Sequence, residues 1–159
     1  MVLFHGSNQP IIKPSLQYSR NSLDFGAGFY LTSDFEQAEK WAKRVSKIRD
    51  SGSPVVSVYE TDDALWSELS VLRFNCADSD WLKLVVAYRT GQTVDCRYDV
   101  IMGPVADDRT VDVINQYISG SFPENIALQL LLPLKLKDQW AMKSELSISA
   151  LKLKEVLHI

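Results

Sequence analysis

Positive charge, cysteine and histidine are all scarce in this chain. Seventeen Lys and Arg stand against 20 Asp and Glu, a net charge of −3 over 159 residues. That balance leaves no polybasic footprint, so bulk charge gives no support to non-specific nucleic-acid binding through phosphate neutralisation. One local basic run, Lys40, Lys43, Arg44, Lys47 and Arg49, reads first as the solvated face of a helix. Cys76 and Cys96 are the only cysteines, with no CxxC spacing and no histidine cluster beside them. A zinc site is therefore not expected, and two buried free thiols in a reducing cytosol are. No stretch approaches the ~18–20 apolar residues of a membrane span. The N-terminus has no charged segment followed by a long apolar run, the mark of a signal peptide. A cytoplasmic protein with no membrane partner is expected. Internal repeats and low-complexity segments are absent from the sequence.

The length suits one domain, residues 1–159, with room for a real core. Residues 2–5 and Phe29 to Thr32 read as short strands, with a Pro-, Ser- and Asn-rich loop over 8–22 between them. Ser33 or Asp34 can cap a helix over about 35–49, whose apolar face holds Phe35, Ala38, Trp41, Ala42 and Val45. Val55 to Tyr59 is a clear β run. Further on, the pattern predicts a turn at 62–65 and strands at 69–74 and 98–102. Helices are predicted over 79–90, from Asp107 or Asp108 to about 118, and over 123–131 with Ser121 as cap. Gln139 to Lys143 reads as a strand, and Leu146 to Leu157 as either a helix or a terminal strand. Strands and helices mix without a regular βαβ rhythm, so the expected class is α+β.

The chemistry-bearing motifs cluster near the start. His5-Gly6-Ser7 closes the first apolar strand. Phe25-Gly26-Ala27-Gly28-Phe29-Tyr30-Leu31-Thr32 then carries a tyrosine into the second strand through two glycines, and Trp41 follows 11 positions later on the helix. This is the layout of a pocket that clamps a flat heterocycle between two rings. Each residue also has a plainer reading. Tyr30 fits a core strand, Trp41 fits helix packing, and Gly26 and Gly28 fit a turn or bulge.

On His5-Gly6-Ser7, Gly26-Ala27-Gly28-Phe29-Tyr30 and Trp41, the chain resembles ADP-ribosyltransferases of the histidine–tyrosine–glutamate type, the group of the poly(ADP-ribose) polymerases and diphtheria toxin. It is also similar to short, stand-alone bacterial proteins of uncharacterised function with this core, through Leu23-Asp24-Phe25-Gly26 and Gly103-Pro104-Val105-Ala106-Asp107-Asp108. The resemblance implies two small bent sheets around a cleft for NAD, which is the substrate, with no metal. It implies that the Gly6 backbone and Ser7 hold the nicotinamide carboxamide and that His5 holds the adenosine ribose. Tyr30 and Trp41 would sandwich the nicotinamide ring, with Gly28 shaping the approach to Tyr30. Arg20 is a candidate pyrophosphate contact, with surface solvation as its equal rival.

The third position departs from the family. Lys137-Asp138-Gln139-Trp140-Ala141-Met142 puts Gln139 where relatives carry a catalytic glutamate, and Ala38 stands where many have serine. An amide can still position a ribose hydroxyl, but the full negative charge beside an oxocarbenium-like transition state is lost. Asp107 and Asp108 are explained as well by helix capping as by chemistry. The resemblance thus implies a mono-ADP-ribosyltransferase that releases nicotinamide and modifies an unknown protein or nucleic-acid acceptor. A bacterial toxin with an antitoxin partner, or a phage-defence effector, is the implied setting. A degenerate NAD- or ADP-ribose-binding module, an NAD glycohydrolase and an interaction domain with a dead pocket are the rivals.

Overall fold

Strand alternation sets the first two elements. In Val2–Ser7 (β1), Leu3 faces one side and Phe4 the other; in Phe29–Leu31 (β2), Phe29 and Leu31 share a face opposite Tyr30. The computed structural model describes residues 1–17 and 19–159. Phe35–Arg49 (α1) starts at Asp34, whose side chain accepts the Gln37 N–H at 2.8 Å, and ends at Asp50 with φ 47°. Its buried residues are only Ala38 and Ala42, so its backbone can lie close to the strands below. Trp41 is not core: 52% of it is exposed.

The remaining elements are Val55–Thr61 (β3), Asp63–Glu68 (α2), Val71–Arg73 (β4), Ser79–Arg89 (α3), Val100–Pro104 (β5), Asp108–Ile118 (α4), Glu124–Leu131 (α5), Asp138–Met142 (β6), Glu145–Ser149 (α6) and Leu151–His158 (β7). Four expectations need correction. The turn expected at 62–65 opens a helix, because Asp62 accepts the Ala64 and Leu65 N–H groups as an N-cap. α5 has Pro123 at its cap and no side-chain cap bond, so Ser121 does not cap it. The final segment is both things, a short helix whose Ser144 and Ser147 form a capping box, then a strand. The cysteines are free but not buried: Cys76 is exposed and Cys96 intermediate.

Two small sheets and six helices make up the described residues, an α+β arrangement. The first sheet runs β1-β3-β7 and the second β2-β6-β5-β4; only β4 and β5 are parallel, joined across by α3. Leu3, Phe29, Leu31, Tyr59, Trp140 and Met142 form the core shared by the sheets. The far face of the second sheet packs Ile101 and Ala141 against Trp81, Val85, Ile114 and Leu131 of α3, α4 and α5. The sheets meet at one bridge, Phe4 to Thr32. No helix among the described residues is long and apolar enough to cross a membrane.

Candidate functional site

The site starts where β1 and β2 part. Phe4 and Thr32 exchange backbone hydrogen bonds of 2.8 and 3.0 Å. In an antiparallel ladder, alternate residues turn their N–H and C=O to the same edge. Odd-numbered β1 residues bond to β3, as the Thr61 N–H to Met1 carbonyl bond confirms at the ladder's end. Val2, Phe4 and Gly6 therefore turn theirs outward. A continued ladder would pair Gly6 with Tyr30. Instead the His5 ring intervenes, with Nδ1 2.7 Å from the Tyr30 carbonyl oxygen. Among the described residues, the Gly6 N–H and C=O are left without a partner, a donor and an acceptor side by side at the gap.

His5 stacks on Phe29 with ring centroids 4.5 Å apart. Burial lowers its pKa, against the pull of the Tyr30 carbonyl and with a smaller push from Arg49. A carbonyl only accepts, so Nδ1 carries the proton of the neutral ring and Nε2 is left as an acceptor. The sign of the pH effect follows. With its folded pKa below the unfolded value of 6.5, His5 contributes stability that is full above pH 6.5 and lost as pH falls toward the folded pKa. Urea unfolding at pH 7.5 and pH 5 should show this acid loss in the native protein and less of it in His5→Gln; equal losses in both would refute the assignment.

Tyr30 points away from the His5 ring, toward the second sheet's far face. Its hydroxyl donates to the Gly26 carbonyl at 2.6 Å and accepts the Phe25 N–H at 3.1 Å. Burial pushes the phenol pKa far above its ordinary value, so Tyr30 works as a neutral ring. The loop it ties down is held from the other side by the Lys143 ammonium, which donates to the Phe25 and Ala27 carbonyls. Gly26 has φ 70°, which this turn requires. Gly28 does not offer its backbone to a ligand: the Ser19 hydroxyl takes both its N–H and its C=O. A Cβ there would come 2.8 Å from the Met142 carbonyl oxygen, so Gly28 is glycine in order to pass β6.

Gln139 shares the face of Tyr30, since β2–β6 register sets Tyr30 opposite Ala141, two residues along. It is 7% exposed, and its Nε2 donates to Asp24 Oδ2 at 2.9 Å and to the Pro104 carbonyl at 3.3 Å. Asp24, also buried, accepts Arg89 Nε and Nη2 at 2.8 and 2.6 Å and the Ala106 N–H at 3.0 Å. Two motifs distant in sequence, around Asp24 and around Ala106, thus meet behind Gln139.

Trp41 lies on the exposed side of α1. Arg44 lies over its ring and reaches Asp108 at 3.6 Å, tying the edge of α1 to the start of α4 next to Ala106. Asp107 is the α4 cap, bonding the Arg109 N–H at 3.0 Å, which bears out the capping reading. Asp108 is an exposed ion-pair partner. The basic run is a solvated helix face in part: Lys43 pairs with Glu39 and Arg44 with Asp108, while Lys40 and Lys47 are exposed. Ser7 is buried at the end of β1, on the side of Leu3 and His5. Arg20 is exposed, and among the described residues no hydrogen bond or ion pair joins it to the other candidates.

Three participants escaped the sequence reading. Arg89 is 65 positions from Asp24, and nothing local marks the pair. Lys143 follows the last core residue of β6 with no motif around it. Gln37 donates to the Asp138 carbonyl at 3.0 Å, which leaves its Oε1 buried and without a partner among the described residues. This sealed orphan acceptor lies one helical turn before Trp41. Among the described residues, no three His, Cys, Asp or Glu side chains converge as metal ligands.

Residues 1–153 match a family model described as "Protein of unknown function (DUF3990)". No curated protein and no solved structure matches the chain.

Proposed function

The chain belongs to the DUF3990 family, and we propose that it binds NAD+ in an ADP-ribosyltransferase-like fold and transfers ADP-ribose with release of nicotinamide. The observation that carries this reading is the unpaired Gly6 N–H and C=O beside the Tyr30 strand. A carboxamide presents the complementary pair, one acceptor and one donor in one plane, as the nicotinamide end of NAD+ requires. The reading assigns two neutral acceptors, His5 Nε2 and Gln139 Oε1, to ribose hydroxyls, and the Tyr30 and Trp41 rings to the nicotinamide.

In the proposed reaction the bond between ribose C1′ and the nicotinamide nitrogen breaks, and nicotinamide leaves neutral with the electron pair. An acceptor atom bonds C1′ and gives up its proton. Preorganised hydrogen bonds, rather than acid–base chemistry by the tyrosine, do the work. The acceptor is a protein or nucleic acid, and a bacterial toxin held by an antitoxin is the setting the family resemblance supports. Gln139 favours a second reading, an NAD- or ADP-ribose-binding module without turnover, because an uncharged amide faces the position where cationic character would develop.

Nicotinamide release by the purified protein separates the two. Trp41→Ala is the cleanest variant, since that side chain is half exposed and outside the core. We expect the KM for NAD+ to rise about threefold to tenfold, the worth of one lost stacking partner, with the thermal midpoint nearly unchanged. Binding without release selects the second reading. Neither binding nor release at millimolar NAD+ ends both.

A further inference from the structure

We propose that Asp24 is a positioning residue for Gln139, holding the amide so that its carbonyl oxygen faces the cleft as acceptor for a ribose hydroxyl. The identity of that ligand rests on the NAD reading above; the positioning rests on hydrogen-bond geometry alone. A glutamine amide has two ends that exchange by a half-turn. Both groups at the Gln139 nitrogen, Asp24 Oδ2 at 2.9 Å and the Pro104 carbonyl at 3.3 Å, can only accept. The flipped amide would press Oε1 against a carboxylate and a carbonyl, so one orientation survives. In it Oε1 bonds to no described residue and, unlike the Gln37 oxygen, is not sealed from solvent.

Asp24 is itself fixed. Arg89 grips Oδ1 with two nitrogens, and the Ala106 N–H and Gln139 amide converge on Oδ2. Donation to a buried carboxylate polarises the amide and raises electron density on Oε1. The negative charge absent from position 139 therefore lies directly behind it. This assigns a task to the aspartate of Leu23-Asp24-Phe25-Gly26, which no cleft contact explains.

The test reads the amide directly. The Gln139 side-chain NH2 signals, identified by their loss in Gln139→Leu, should exchange slowly with solvent in the native protein and about tenfold or more faster in Asp24→Asn. Nicotinamide release by Asp24→Asn should fall about a hundredfold in kcat, the scale of a small misplacement of a reacting group, with KM within about threefold. Fast exchange in the native protein overturns the positioning without any variant. Unchanged exchange and kcat in folded Asp24→Asn overturn it as well. Should that variant not fold, Arg89→Lys loosens the carboxylate from one side, and the same direction of change in Gln139 exchange is expected; no change overturns the proposal. Absence of NAD+ binding by the native protein would instead refute the NAD reading, and the exchange rates would still decide the positioning.

Discussion

Gly6→Ala is expected to destabilise the fold by about 3 kcal/mol or more, although a single methyl is added. A Cβ at Gly6 would lie 2.0 Å from the Ala38 carbonyl oxygen and 2.9 Å from the Ala42 nitrogen. Both are backbone atoms of α1, so no side-chain rotation and no trimming of Ala38 to glycine relieves the overlap. The helix must lift off β1, and the cluster of Ala38, Ala42, Val56 and Val58 opens with it. For a domain of this size, about 2–4 °C of thermal midpoint per kcal/mol gives a fall of roughly 6–12 °C. Circular dichroism melting checks it, and a fall of under about 3 °C would show that α1 moves more freely than the packing implies. The proposed NAD+ binding would account for this glycine by the ligand's approach to the backbone. The structure adds a second cause: a helix passes over the α-carbon, while the polar edge stays open to the gap.

Gln139→Glu, the change that restores the glutamate of the resembled family, is expected to damage this protein rather than improve it. It replaces a donor to Asp24 with a second carboxylate in a buried site. The lost charge-assisted bond and the repulsion together cost about 3–5 kcal/mol near pH 7. A carboxyl so placed has its folded pKa raised above the unfolded value of about 4.3. Its folded state is therefore unpenalised below pH 4.3, and the deficit grows as pH rises through the folded pKa. Urea unfolding of variant and native protein at pH 4.3 and pH 8 measures this. A deficit that is equal at both pH values would remove the carboxylate explanation. Adding Asp24→Asn should recover part of the loss, since the amide it introduces can donate to the new carboxylate. Recovery stays partial because the Ala106 N–H then meets a nitrogen instead of an oxygen.

Long periodic segments were legible from the residues. α1 and α3 carry their caps and apolar faces within the segment, and β3 is a continuous buried run. α2 was hidden because a short helix rests on one cap, Asp62, with no buried residue of its own. The change from α6 to β7 was hidden because the segment mixes both periods and the capping serines decide. Among the candidate residues, His5, Gly6 and Tyr30 could be named from their motifs, and Gln139 only through the family resemblance. Their relations could not: the His5 ring bonds a carbonyl on another strand, and the Tyr30 ring turns to the opposite face.

Composition and periodicity by themselves determined the α+β class and the main helices and strands, while two short motifs and the resemblance they carry named the candidate residues. The helices and strands depend on local forces, cap bonds and the alternation of apolar residues, which act between neighbours in the chain. Only the tertiary structure decided that Gly6 keeps its hydrogen-bonding edge free, that Gly28 does not, and that Gln139 must be an amide. Each of those rests on partners 9 to 115 positions away, where no local pattern reaches and packing alone brings a donor to its acceptor.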